Sequence, residues 1–157
     1  RRGGAGGRRQ PDRQDRAGAR LGEDVLSRGG ADLFDVAIFG DEPYGNYNRI
    51  LLSGVLSGTH DPRDIFINSL EWYEENKVRL HAGVRVASVD RERKIVHGSN
   101  GISETYDHLV IATGSSPFVP PMQGLKAEDG EGFKDGIFVF RTLDDCDAIT
   151  MPRAPIH

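Results

Sequence analysis

Asp41 and Glu42 are adjacent carboxylates, and Arg49 follows them within one short turn-rich stretch. An ionised carboxylate only accepts hydrogen bonds, so the pair suits a ligand that presents hydroxyl groups, such as a ribose. A guanidinium presents a planar fork of donors, which suits a phosphate. These residue types at this spacing describe a nucleotide site with a sugar end and a phosphate end. Ser53 adds a hydroxyl that either donates to a phosphate or closes a turn. The competing reading of Asp41 and Glu42 is an ordinary turn with a solvated acid pair, and spacing alone does not separate the two.

The surrounding elements must place these groups. Asp35-Val36-Ala37-Ile38-Phe39 is a short, β-branched apolar run ended by Gly40, so it is expected to be a buried strand meeting a turn. An acid at the carboxyl end of the second strand of a βαβ unit is well placed for a ribose. A helix is expected before it over Ala17–Arg28, with Ala17, Leu21, Val25 and Leu26 on one face and Gly29-Gly30 as its stop. Ile50–Leu56 is apolar and is expected to pack beneath the nucleotide. Asn68 and Glu71 have capping-box spacing for a short helix over Asn68–Asn76, in which Trp72 is read as a packing ring.

Further along, Val78–His81 reads as a strand. Val84–Asp90 and Lys94–His97 read as a hairpin about Arg91-Glu92-Arg93, with Asn100-Gly101 as a second turn. His108–Thr113 is continuously apolar from Leu109 to Ala112, which predicts a parallel strand buried on both faces. Pro117–Gly136 reads as a loop and Ile137–Phe140 as another short strand. Thr142 and Asp145 again have capping-box spacing, so a helix is expected from Leu143.

The stretch DEPYGNYNRILLS, with Tyr106-Asp107-His108-Leu109-Val110-Ile111-Ala112-Thr113-Gly114, resembles the FAD domain of flavoprotein reductases that carry two dinucleotide-binding domains. Within that group the residues are most similar to the amino-terminal part of NAD(P)H-dependent assimilatory nitrite reductase large subunits. The resemblance runs from about Ala17 to Ile149. It implies an α/β, Rossmann-like FAD-binding domain with a small antiparallel β insertion. It also implies hydride transfer from NAD(P)H to FAD, then electron flow to a metal centre that reduces nitrite to ammonia. By the same resemblance Asp41 and Glu42 hold the adenosine ribose and Arg49 lies near the pyrophosphate. The backbone at Val86 meets the adenine, and Ala112, Thr113 and Gly114 lie close to the flavin nucleotide.

Two departures accompany the resemblance. Ala17-Gly18-Ala19-Arg20 matches the end of the family's G-x-G-x-x-G turn, with Gly18 as the third glycine. The first two glycine positions fall on Arg13 and Asp15. Residues 6–12, GGRRQPD, do not read as the first strand of the sheet, so that strand is expected to be missing. The expected division is a disordered basic head over 1–14, a partial FAD-binding domain over 15–120, and a loop with a truncated start of the NAD(P)H domain over 121–157. Siroheme and iron–sulfur modules are expected to lie outside this sequence. Both ends are expected to be out of frame or wrongly joined, and the chain alone is expected to be inactive. The alternative function is a non-catalytic remnant or interaction module without cofactor.

Charge and composition narrow the class. The first 20 residues hold seven Arg against Asp12 and Asp15, whereas the whole chain carries a net charge of −4, so its body is acidic. That balance gives no basic face for nucleic acid. Cys146 is the single cysteine, which excludes an internal disulfide and a cluster built from this chain's own thiolates. It is read as a packing residue. The five His have no metal-ligand spacing. No apolar run is long enough to cross a bilayer, so no membrane partner and a cytoplasmic location are expected.

Overall fold

Valine and isoleucine at alternate positions make Val36–Gly40 the first strand, β1. In the computed structural model, which describes Val25, residues 33–127 and residues 132–151, β1 pairs in parallel with β2, Val78–Ala82. The register runs from Val36 opposite Val78 to Gly40 opposite Ala82. Parallel pairing requires a crossover. It contains α1 (Leu52–Leu56), α2 (Leu70–Glu75) and two short 3-10 turns, Arg49–Leu51 and Pro62–Ile65. β1 thus starts and ends one residue later than expected, and its carboxyl end delivers the chain to Asp41.

The second helix starts two residues later than the expected Asn68–Asn76 and ends one earlier. Its N-cap is Ser69, whose hydroxyl accepts the Trp72 amide at 3.3 Å. Asn68 does not cap: its backbone amide donates to the Asn46 carbonyl at 3.2 Å, the residue is only 6 % exposed, and its Oδ1 has no hydrogen-bond partner among the described residues. Trp72 packs edge-on against Tyr73, as a packing ring should.

A second sheet is antiparallel: β3 (Val86–Asp90), β4 (Ile95–Gly98) and β5 (Ser103–Thr105) in that order. The hairpin turn closes on Asp90, whose Oδ1 accepts the amides of Glu92 and Arg93 at 3.0 and 2.9 Å. The Asn100-Gly101 turn joins β4 to β5, so both turns fall where the sequence puts them. A register shift between Val86 and Ser88 bends the start of β3. The two sheets are fastened by one carboxylate. Glu104 of β5 accepts both Nε and Nη2 of Arg79, at 3.2 Å each, and His81 Nε2 lies 2.8 Å away. These donors hold the Glu104 carboxyl below the usual carboxylate range, Arg79 more than His81. Phe39 lies against the His81 ring with centroids 4.7 Å apart.

The main core lies on the loop side of β1. Tyr47, Leu52, Ile65, Leu143 and Cys146 are buried together, with Tyr44, Leu51, Val55, Leu56 and Phe66 packed around them. Leu143 and Cys146 come from α3, Leu143–Thr150. The capping box expected there is complete, with Thr142 Oγ1 accepting the Asp145 amide and Asp145 Oδ2 accepting the Thr142 amide. Gly45 is required where this loop passes under Asn68. A Cβ at that point would stand 2.3 Å from the Asn68 carbonyl oxygen.

Two expected strands do not form. Residues 108–113 and 137–140 pair with no other strand among the described residues. Val110 is 59 % and Ile111 77 % exposed. An apolar run becomes a strand only where a neighbour supplies its ladder. The expected helix over Ala17–Arg28 is seen only at Val25, which is helical. Its other residues, Gly18, the basic head and residues 152–157 lie outside the described residues. No helix among the described residues is long and apolar enough to cross a membrane.

Candidate functional site

The turn after β1 separates the two carboxylates into different environments. Asp41 points outward, its side chain 68 % exposed, and its Oδ2 stands 3.7 Å from Arg85 Nη1. Arg85 immediately precedes β3, so this loose pair brings the Val86 backbone into the neighbourhood of the acid turn. Glu42 points inward and is already engaged. Its Oε2 accepts the Tyr47 hydroxyl and its Oε1 accepts Arg49 Nη2. Arg49 also donates through Nη1 to the Arg141 carbonyl at 3.1 Å, and its guanidinium lies over the Tyr47 ring.

The phenols of this turn are held protonated. Burial, followed by the bond to Glu42, pushes the Tyr47 hydroxyl well above its ordinary range. The Tyr44 hydroxyl donates to Asp144 Oδ1 at 2.6 Å, and chiefly through that bond its pKa is pushed up to about 12. Tyr44 and Tyr47 therefore fasten the acid turn to the first turn of α3. Cys146 lies beneath, with its thiol pointing to the Leu52 carbonyl at 3.8 Å. Burial, then the neighbouring Asp147 and Asp145, raises its pKa and keeps it a thiol, consistent with packing rather than nucleophilic chemistry.

Ala112, Thr113 and Gly114 are exposed. Gly114 has φ +68°, in the left-handed region that favours glycine. A Cβ there would stand 3.6 Å from Arg141 Nη2. The Arg141 side chain thus lies beside this turn, while its carbonyl accepts from Arg49. Ser53 lies on the exposed side of α1, and Val86 is 41 % exposed at the start of β3. The structure therefore brings Asp41, Glu42, Arg49 and, beside Arg141, Gly114 to one region, while among the described residues no hydrogen bond joins the Ser53 side chain to them. Sequence reasoning missed Tyr47, Arg85 and Arg141. Tyr47 carried a signal, a ring inside the acid–arginine loop; Arg141 carried none, because it lies 92 residues beyond Arg49.

The chemistry on offer is hydroxyl acceptance at Asp41, cation chemistry at Arg49 and Arg141, and close backbone approach at Gly114. Glu42 retains unused lone pairs besides the two bonds it makes. That donor and acceptor set suits a ligand that carries both hydroxyls and phosphates, as an adenine dinucleotide does. Among the described residues, no cluster of His, Cys, Asp and Glu is arranged to hold a metal ion.

The sequence matches the pyridine nucleotide-disulphide oxidoreductase family over residues 19–156. The chain belongs to this family. The nitrite reductase [NAD(P)H] of Bacillus subtilis (strain 168) is 43 % identical over 133 residues, which is 85 % of this chain and 16 % of that protein. The assimilatory nitrate reductase electron transfer subunit of the same organism is 40 % identical over the same shares. Among solved structures, the reductase–putidaredoxin complex of putidaredoxin reductase superposes with a TM-score of 0.72 at 25 % identity, over 85 % of this chain and 31 % of that one. The fold is therefore α/β and Rossmann-like, with the three antiparallel strands as its small insertion. The chain spans about one sixth of the length of these curated relatives.

Proposed function

We propose that this chain is the FAD-binding portion of an NAD(P)H-dependent flavoprotein oxidoreductase that passes electrons from NAD(P)H through FAD for nitrite reduction to ammonia. The observation that carries the reading is the 43 % identity with a nitrite reductase over 85 % of the chain, including the acid turn and the Ala112-Thr113-Gly114 turn. The second relative, named as an electron transfer subunit, supports the same chemistry over a cofactor-free module. FAD, when bound, supplies the hydride acceptor and the electron relay.

The chain's own residues bind and orient. Asp41 accepts from the ribose hydroxyls, and Glu42, fixed by Tyr47 and Arg49, supplies the inner wall of that pocket. Arg49 and Arg141 neutralise the pyrophosphate, and Gly114 admits the nucleotide close to the backbone. Val86 offers main-chain groups to the adenine. Ser53 is assigned a supporting phosphate bond and Gly18 the helix-side position of the phosphate turn. Electrons leave toward a siroheme and iron–sulfur centre outside this chain, in the cytoplasm.

Titrating the purified chain with FAD tests the binding half. A saturable shift of the flavin absorbance, weakened by Asp41→Asn, is expected; no shift at excess FAD overturns it. Deleting the coding region in its host tests the nitrite half. Loss of growth on nitrite as nitrogen source is expected, and undiminished growth removes nitrite from the reading.

A further inference from the structure

A closed ring of bonds surrounds the start of α3. The Tyr47 hydroxyl donates to Glu42 Oε2, and its oxygen accepts the Leu143 amide at 3.3 Å. Two residues back along the chain, the Arg141 carbonyl accepts from Arg49 Nη1 at 3.1 Å. Arg49 Nη2 then returns to Glu42 Oε1. Thr142, the N-cap of α3, sits between the two points of attachment. Tyr47 and Leu143 are 7 % and 5 % exposed, so water competes little for the joint between them.

The ring leaves hydrogen-bonding capacity on two of its side chains. A carboxylate has about four lone-pair sites and a guanidinium five N–H donors. The ring uses two of each. A ribose hydroxyl or a phosphate can therefore add to Glu42 or Arg49 without opening the ring. Each added bond restrains the two side chains that hold residues 141 and 143. We infer that Tyr47 is a positioning residue that couples nucleotide occupancy at Glu42 and Arg49 to the seating of helix α3. The ligand-bound half of this coupling rests on the function proposed above. Tyr47 itself touches no ligand in this scheme; it transmits.

The test is residue-level amide hydrogen exchange on the whole chain, with and without saturating FAD, for the natural protein and Tyr47→Phe. Without ligand, Tyr47→Phe should speed exchange at Leu143 about five-fold, the change expected for one net hydrogen bond. In the natural protein FAD should slow exchange at Leu143 and Cys146. In Tyr47→Phe, FAD should still bind but that slowing should shrink to what the Arg49–Arg141 arm alone carries. Unchanged Leu143 exchange in the ligand-free variant overturns the inference while leaving FAD binding intact. Equal FAD protection in both proteins also overturns it. A natural chain that binds no FAD overturns the functional reading and the coupling together, which the binding measurement reports separately. If Tyr47→Phe does not fold, Glu42→Gln takes its place. It should also speed Leu143 exchange, and no change there overturns the inference. Where both variants fold, their effects should be less than additive because they cut the same ring.

Discussion

At the residue scale, two neighbouring acids have unlike tasks because one faces water and the other faces Tyr47 and Arg49. Removing Arg49 leaves the Glu42 carboxylate, 23 % exposed, without its cation. Arg49→Ala is therefore expected to lower both stability and FAD affinity, the latter by about 1.5–3 kcal/mol, the range for a charge-assisted hydrogen bond. Asp41→Asn should lower affinity but change stability by less than about 0.5 kcal/mol, because its side chain is solvated. Denaturant melts and FAD titrations of the two variants separate these effects; equal stability losses would contradict the assignment. Tyr44 gives a pH signature. Its folded pKa of about 12 stands above the ordinary value of 10.0. The stability from its bond to Asp144 is thus fully present below pH 10 and is lost as pH rises through about 12. Tyr44→Phe should flatten that part of the alkaline stability profile, and an unchanged slope would rule the bond out as a contributor.

At the element scale, α3 is eight residues long and cannot persist by propensity alone. Its capping box, the buried Leu143 and Cys146, and the phenols of the acid turn hold it. Thr142→Ala removes the hydroxyl that satisfies the Asp145 amide. About 1 kcal/mol of destabilisation is expected, with faster exchange confined to the first turn of α3. A loss spread evenly over β1 and β2 instead would mean that α3 is not a separable element. β3–β5 shows a different solution to the same problem. Short antiparallel strands fix their own register through tight turns, and the Glu104 fastening to Arg79 and His81 then sets the sheet against β2.

At the scale of the whole molecule, packing is uneven. The core around Tyr47, Leu52, Ile65, Leu143 and Cys146 is closed, whereas Val110, Ile111, Phe118 and Met122 stand exposed along residues 110–122. An exposed apolar stretch of this kind binds hydrophobic probes. Purified chain should bind such a dye in the native state. Ile111→Lys should reduce the signal with less than about 0.5 kcal/mol change in stability, because Ile111 is 77 % exposed. Undiminished dye binding would place the accessible surface elsewhere.

The local elements were legible in the sequence because their causes are local. The Thr142–Asp145 box, the turns at 91–93 and at Asn100-Gly101, and the apolar run of β1 each depend on residues a few positions apart. The clustering of Asp41, Glu42 and Arg49 was legible for the same reason: acceptor and donor types within one turn. Capping at Ser69 rather than Asn68 was not, because the contact of Asn68 with Asn46 lies 22 residues away. The strand expected over 108–113 failed on the same ground. Hydrophobicity states that a segment prefers burial, but only a paired neighbour makes it a strand. What the tertiary structure alone decided is that Glu42 turns inward, that Arg141 meets Arg49, and that Tyr47 joins the acid turn to α3. Those contacts span more than 90 residues in two of the three cases, and no spacing in the chain encodes which distant groups the packing of α3 on α1 brings together.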